Sequence, residues 1–106
     1  MISIFRDNDL EGVPALYEQD GKGDKAKVSL IVKIAYTGYI WLLTEYSKEE
    51  DLFFGFTCLN DIQNAELGYI SKKELEDLGR KYPLTIEKFE NLTLAEAKAK
   101  YIIEEV

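Results

Sequence analysis

The sequence predicts an α+β fold in which an antiparallel β-meander of about four strands carries two or three helices. Three observations predict it: runs of β-branched and aromatic residues in mid-chain, turn signals between these runs, and two helix-capping patterns in the second half. A chain of 106 residues fits a single domain spanning residues 1–106. Neither an internal repeat nor a linker-like segment divides the sequence.

Turn and loop signals dominate the first part of the chain. Asp7 or Asn8 is a candidate cap for a short helical turn, which Pro14 then limits. The apolar stretch that ends at Tyr17 is expected to pack on the core. Residues 19–27 combine two glycines with alternating charges, which is typical of a mobile loop. Because no Gly-Lys-Ser/Thr sequence follows, the loop does not indicate a phosphate-binding site.

Residue type and spacing predict four strands, at residues 28–36, 39–46, 52–59 and 66–70. A Thr-Gly pair at residues 37–38 is a tight-turn signal, so the first two strands are expected to form a hairpin. The second strand is apolar on both faces, so both faces of the sheet need a cover. Gly55 indicates a bulge or a close backbone approach in the third strand.

The second half of the chain contains two capping boxes, each a Ser or Thr followed three residues later by Glu. The first, at residues 71–74, opens a helix that is expected to stop near Gly79. The second, at residues 93–96, opens a C-terminal helix over about residues 94–104. Residues 84–89 between these helices are expected to form an extended edge segment.

Charge and composition exclude several classes of function. The formal net charge of −7 disfavours direct nucleic-acid binding and favours a basic protein partner, including a nucleic-acid-binding protein. The chain has no histidine, so the commonest general base is missing and a Ser-His-Asp or Cys-His arrangement is impossible. We therefore expect a protein that is not an enzyme and that holds no cofactor and no metal.

The single cysteine, Cys58, excludes an intramolecular disulfide and a thiolate metal cluster. A small buried side chain is the better interpretation of this residue. The longest apolar run is strand-sized, so no membrane association is expected. These features favour the reducing cytoplasm as the location of the protein.

Several motifs resemble those of the family whose domain of unknown function is numbered 2958. They are Val-Pro-Ala-Leu-Tyr at 13–17, Trp-Leu-Leu-Thr-Glu at 41–45, Leu-Phe-Phe-Gly-Phe at 52–56, Glu-Leu-Gly-Tyr-Ile-Ser at 66–71 and Glu-Leu at 74–75. The resemblance covers about residues 10–80. It implies no chemistry, because the family has no established activity. It does imply a setting, since such proteins are typical of plasmids, integrative elements and phages.

The shared residues are open to two interpretations. In the structural one, Gly68 allows a tight strand–helix junction, and Glu45 and Glu66 bind backbone amides of neighbouring strands or turns. Trp41 and Tyr69 are then packing anchors with polar tips. In the functional one, acidic and aromatic side chains form an interaction surface for a protein partner; its candidate residues are Trp41, Glu45, Glu49, Glu50, Asp51, Glu66 and Tyr69.

Three functions stay open at this point. The first is a non-catalytic, acidic protein-binding protein of a mobile genetic element that inhibits or modulates a host nucleic-acid enzyme or a defence nuclease, in the manner of anti-CRISPR or anti-restriction proteins. The second is a structural accessory protein in plasmid replication, maintenance or conjugation. The third is a carboxylate- or metal-dependent enzyme. The sequence leaves the partner, the oligomeric state and the binding surface open.

Overall fold

An antiparallel sheet of five strands organises the chain in a computed structural model that describes residues 4–59 and 65–102. In chain order the strands are β1 (Lys27–Ile34), β2 (Tyr39–Ser47), β3 (Leu52–Leu59), β4 (Glu66–Ser71) and β5 (Leu84–Thr93). The helices of the described residues are α1 (Asp7–Leu10), α2 (Lys72–Lys81) and α3 (Leu94–Tyr101), with a 3-10 turn at Gly23–Lys25. The predicted α+β class is confirmed.

The strands lie side by side in the order β4-β3-β2-β1-β5, and all neighbours are antiparallel. The first four strands follow one another as the predicted meander. The fifth strand returns across the sheet and pairs with β1, from Ile34 opposite Leu84 to Lys27 opposite Thr93. The edge segment predicted at residues 84–89 is therefore a full edge strand, and β4 forms the other edge.

One face of the sheet, here called the α2 face, packs against α2 and the segment before β1. Phe5 and Leu75 close over it from outside the sheet. The buried strand residues of this face are Leu30, Val32, Ile34, Trp41, Leu43, Phe53 and Ile70. Burial of so many large side chains makes this cluster the larger part of the core.

The opposite face, here called the α3 face, packs against α3 through Leu94 and Ala97. Its buried strand residues are Val28, Ile31, Ile40, Leu42 and Cys58. The predicted alternation along β2 is confirmed, because Trp41 and Leu43 face α2 whereas Ile40 and Leu42 face α3. Both faces are covered, as the apolar pattern of β2 requires.

Some elements end a few residues away from their predicted boundaries. The first strand ends at Ile34 and not at residue 36, because Tyr36 takes a φ of 64° in the turn and the Thr37 amide donates to the Ile34 carbonyl at 3.3 Å. Helix α2 continues two residues past Gly79 and ends at Lys81, before Pro83. A Cβ at Gly79 would lie 2.6 Å from Cγ2 of Ile4. Glycine at this helical position therefore lets the N-terminal segment pack closely against α2.

Both helix starts are capped as the sequence predicts. Ser71 Oγ accepts a hydrogen bond from the Glu74 amide at 3.2 Å. At α3, Thr93 Oγ1 accepts from the Glu96 amide at 3.2 Å, and Glu96 Oε1 accepts from the Thr93 amide at 3.1 Å. Helix α3 ends at Tyr101, and residues 103–104 of the predicted helix lie outside the described residues.

The third strand contains the close approach that Gly55 predicts. Leu43 pairs with Gly55 whereas Glu45 pairs with Phe54, so Thr44 is an extra residue that forms a bulge in β2. A Cβ at Gly55 would overlap the Leu42 carbonyl oxygen and lie 2.9 Å from the Leu43 Cα. Only glycine fits at this point of the sheet.

Gly68 lies opposite Gly55, in the interior of β4. The prediction that it forms the strand–helix junction is wrong, because α2 begins only at Lys72. A Cβ at Gly68 would meet no atom within 4 Å. Of the two paired glycines, Gly68 therefore has space for a side chain, whereas Gly55 has none.

This difference predicts the stability of two alanine variants. Gly55→Ala should lower the free energy of unfolding by about 1–3 kcal/mol, because the added methyl group collides with the backbone of β2. Gly68→Ala should change it by less than about 1 kcal/mol, since its methyl group enters open space. Urea unfolding followed by circular dichroism measures both, and equal midpoints for the two variants would contradict this account.

Candidate functional site

The segment before β1 completes the sheet at the end of β2. Strand β1 pairs with β2 only from Leu30 opposite Leu43 onward, so the last residues of β2 lack a β1 neighbour. The segment at residues 14–19 takes that place. The Tyr46 amide donates to the Pro14 carbonyl at 2.9 Å, and the Thr44 carbonyl accepts from Gln19 Nε2 at 2.8 Å. The segment is therefore tied to the sheet.

The Gln19 side chain is buried between the start of β1 and the end of β2. Its Nε2 donates to the Lys27 carbonyl at 3.0 Å as well as to Thr44, and its Oε1 accepts from the Lys27 amide at 2.6 Å. The side-chain amide thus replaces the peptide group of a missing strand partner. Gln19 was predicted to begin a mobile loop, but it is an anchor of that loop.

Glu45 holds the backbone of the same segment. Only 4% of its surface is exposed, and its Oε1 and Oε2 accept hydrogen bonds from the Tyr17 amide at 2.9 Å and the Gln19 amide at 2.7 Å. Such charge-assisted bonds offset the cost of removing a carboxylate from water. The predicted bond between Glu45 and backbone amides is confirmed. Tyr17 has a φ of 73°, so the carboxylate fixes a left-handed residue.

A cleft of about 470 Å³ opens on the α3 face beside this anchored segment. Among the described residues, α3 packs mainly on β5, β1, β2 and the 3-10 turn, so the β4 side of this face is covered less by the helix. The lining residues come from three parts of the chain, namely the segment at 17–26, strands β2 to β4 and the start of α3. They are Tyr17, Gln19, Asp20, Gly21, Gly23, Ala26, Thr44, Glu45, Phe54, Leu67, Tyr69 and Leu94.

Aromatic rings form the open part of the cleft. Tyr17 is 66% exposed and Tyr69 is 55% exposed. The Tyr69 hydroxyl donates to the Tyr17 hydroxyl at 3.2 Å, which joins β4 to the segment before β1. The Tyr69 ring meets Phe54 edge-on, with centroids 5.4 Å apart. Large aromatic side chains that stay this exposed are typical of a binding surface.

The charged groups of the cleft are acidic. Asp20 and Glu45 line it, and among the described lining residues none is lysine or arginine. The pKa of Tyr69 is raised, chiefly because its hydroxyl donates to Tyr17, and also because burial and the negative charges of Glu45 and Glu50 disfavour the phenolate. Glu50, which does not line the cleft, therefore adds to its negative field.

The seven predicted interaction residues lie in four different places in the structure. Glu45 and Tyr69 both line the cleft, as described above. Trp41 is buried in the α2 face and has no surface to offer a partner, so its role is that of the predicted packing anchor. Glu66 is exposed at the first residue of β4. The acids of the β2–β3 turn are exposed residues, and they are Glu49, Glu50 and Asp51.

Within that turn, Asp51 differs from its two neighbours. Its carboxylate lies 3.6 Å from Lys72 Nζ, its carbonyl accepts from the Lys72 amide at 3.1 Å, and its φ is 56°. Asp51 therefore joins the turn to the start of α2. Glu49 and Glu50 make up the acidic part of the turn that faces solvent.

The cleft residues that the sequence did not single out include Tyr17, Gln19, Asp20, Phe54 and Leu67. Tyr17 was expected to pack on the core, and its exposure corrects that expectation. Its place at the end of a family-like motif, just before a polar loop, was an available signal. Gln19 offered none, because its burial depends on a gap between two strands that are distant in sequence.

Two further features of the described residues concern metal binding and membrane crossing. Within residues 4–59 and 65–102, no three His, Cys, Asp or Glu side chains come together in a way that could hold a metal ion. Over the same residues, no helix has the length and apolar character needed to cross a membrane.

Fold and cleft together define a class, an α+β domain whose five-stranded sheet carries an aromatic, acidic cleft on one face. The chain belongs to the family described as protein of unknown function (DUF2958), which matches residues 10–103. This match extends beyond the residues 10–80 that the motifs covered, through β5 and α3. No curated protein and no solved structure matches the chain.

Replacing the buried carboxylate tests its anchoring role. Glu45→Gln places an amide group where two backbone amides need acceptors, so it should lower the free energy of unfolding by about 1.5–3 kcal/mol. Trypsin should also cleave after Lys22 faster than in the native protein. The matched control is Glu49→Gln on the exposed turn, which should stay within about 0.5 kcal/mol of the native protein. Equal stabilities of the two variants would refute the anchoring role.

The tyrosine pair predicts a titration shift. The hydrogen bond stabilises the neutral phenol of Tyr69. Its contribution to the stability of the folded protein is therefore present below the ordinary tyrosine pKa of about 10, and it is lost as the pH rises above the pKa of Tyr69 in the folded protein. Tyr17→Phe should therefore lower the pKa of Tyr69 toward its ordinary value. NMR of ¹³C-labelled tyrosine measures the shift, and Tyr36→Phe at the fully exposed hairpin tyrosine is the control. An unchanged Tyr69 pKa in Tyr17→Phe would contradict the assignment.

Proposed function

We propose that the protein is a non-catalytic binding protein that holds a basic protein partner against the cleft of the α3 face and the neighbouring β2–β3 turn. The observation that carries this proposal is the combination, in one cleft, of exposed aromatic rings and acidic groups with no cation among the described lining residues. Aromatic anchors contribute much of the affinity of protein interfaces. Complementary charge adds speed and specificity of association.

The roles of the carboxylates support binding rather than catalysis. Both oxygens of Glu45 accept hydrogen bonds from backbone amides, so this group positions the segment at residues 17–19. Asp51 is joined to the start of α2. Glu49 and Glu50 lie exposed on a turn, where charges steer a partner more readily than they catalyse a reaction.

The net charge of −7 supports a particular class of partner. Proteins that bind nucleic acids present basic faces to the phosphate backbone, and an acidic protein competes for such a face. The proposed action is therefore inhibition or modulation of a nucleic-acid enzyme or a defence nuclease in the cytoplasm. The setting that the family resemblance implies, on plasmids, integrative elements and phages, supports the same class of partner.

Partner capture with charge variants tests the proposal. The tagged protein is mixed with a nuclease-treated bacterial lysate, and a stoichiometric, basic, nucleic-acid-processing protein is expected to bind. The double variant Glu49→Gln/Glu50→Gln should bind it about three- to tenfold more weakly, with a smaller salt dependence. The matched control is Glu87→Gln/Glu90→Gln, which removes two exposed charges from β5 at the opposite edge of the sheet.

The two variants differ in position but not in net charge. Equal affinity of the turn variant, the β5 variant and the native protein would contradict binding at this end of the molecule. Capture of an acidic partner, or of no partner at all, would contradict the proposed class of partner.

A further inference from the structure

Lysines of the α3 face already lie over aromatic rings. Lys98 of α3 places its Nζ 4.5 Å from the centroid of the Phe56 ring. The same Nζ lies 2.9 Å from a carboxylate oxygen of Asp24, in the 3-10 turn. A ring and a carboxylate both attract a cation, so together they form a favourable site for an ammonium or guanidinium group.

The neighbouring cleft repeats these parts on the same face of the sheet. Phe54 lies two residues before Phe56 on β3, and Tyr69 and Tyr17 add two exposed rings. Asp20 and Glu45 supply carboxylates, as Asp24 does at the first site. The difference is the cation, because the described lining residues include no lysine or arginine.

We propose that the cleft receives an arginine side chain of the partner protein. This inference rests on the proposed function and names the group that the cleft recognises. The negative charge of the lining favours a cationic side chain over an apolar one, since exposed rings alone would accept any apolar side chain. Arginine fits better than lysine because its planar guanidinium stacks on aromatic rings and donates hydrogen bonds in the same plane.

The lining also suits the rest of an arginine side chain. Leu67, which is 45% exposed, offers apolar surface for the methylene groups, which pack well along such surfaces. The hydroxyls of Tyr17 and Tyr69 and the exposed carboxylate of Asp20 offer acceptors for the guanidinium. The carboxylate of Glu45 contributes its charge from the floor of the cleft, although its oxygens are already bonded to backbone amides.

A titration with blocked amino acids tests the inference on the purified full chain, without any partner protein. N-acetyl-arginine amide is added to the ¹⁵N-labelled protein, and backbone amide shifts are followed by NMR. Shifts are expected at Tyr17, Phe54 and Tyr69, and they should weaken as salt is raised. N-acetyl-citrulline amide, which has nearly the same shape without the charge, should cause no such shifts.

Ring variants separate stacking from simple charge attraction. Tyr69→Leu should weaken arginine binding about two- to fivefold, because it removes a π-face, whereas Tyr69→Phe should keep most of it. Asp20→Asn should weaken binding without changing any ring. The control is Tyr36→Leu, which removes an exposed tyrosine from the β1–β2 hairpin and should have no effect.

The inference fails if arginine and citrulline cause the same shifts, if arginine shifts no resonance of the cleft, or if Tyr69→Leu binds as the native protein does. These failures are distinct from failure of the proposed function. A basic partner that is captured while free arginine leaves the cleft unshifted would overturn the arginine site alone. Arginine binding without any basic partner would overturn the proposed function.

Discussion

The Glu45 carboxylate and its two bonds to backbone amides are the interaction on which the cleft depends. Leu43 faces α2, so strict alternation along β2 would turn residue 45 toward the same apolar cluster. The extra residue Thr44 prevents this, since it lets Tyr46 face α2 while Glu45 reaches the Tyr17 and Gln19 amides. The bulge in turn requires that no side chain stand at Gly55. Gly55 therefore permits the bulge that places the buried Glu45 carboxylate, which lies two residues after the Leu43 that pairs with Gly55.

The cleft is open because of how the two helical covers divide the sheet. Helix α3 is eight residues long and buries the parts of its face that belong to β1, β2 and β5. Tyr69 and Leu67 on the edge strand β4 stay beyond its reach and exposed. The segment at residues 17–26 approaches them from the other side, and within the described part of the chain the Tyr17 hydroxyl bonds to Tyr69. A surface that keeps this much apolar area in water is suited to cover by a partner.

Local patterns in the sequence predicted most of the sheet and both long helices, because their signals lie within each element. The strands follow from residue type, the helix starts from Ser71 and Thr93, and the close approach from Gly55. The cleft escaped prediction because it depends on pairing between distant residues. Trp41 and Tyr69 are both aromatic residues on strands, yet one is buried and the other exposed, and only the position of the helices decides which. Gln19 became buried for a similar reason.

One cation on the face of the sheet that carries the cleft is already engaged. Lys98 projects from α3 toward the same face, but Asp24 and the Phe56 ring bind its ammonium group. The two backbone amides that bond to Glu45 stabilise its charge through their dipoles, and they do not cancel it. The same residues therefore stabilise the fold and shape an anionic, aromatic cleft, for which we propose a cation from outside the chain as the occupant.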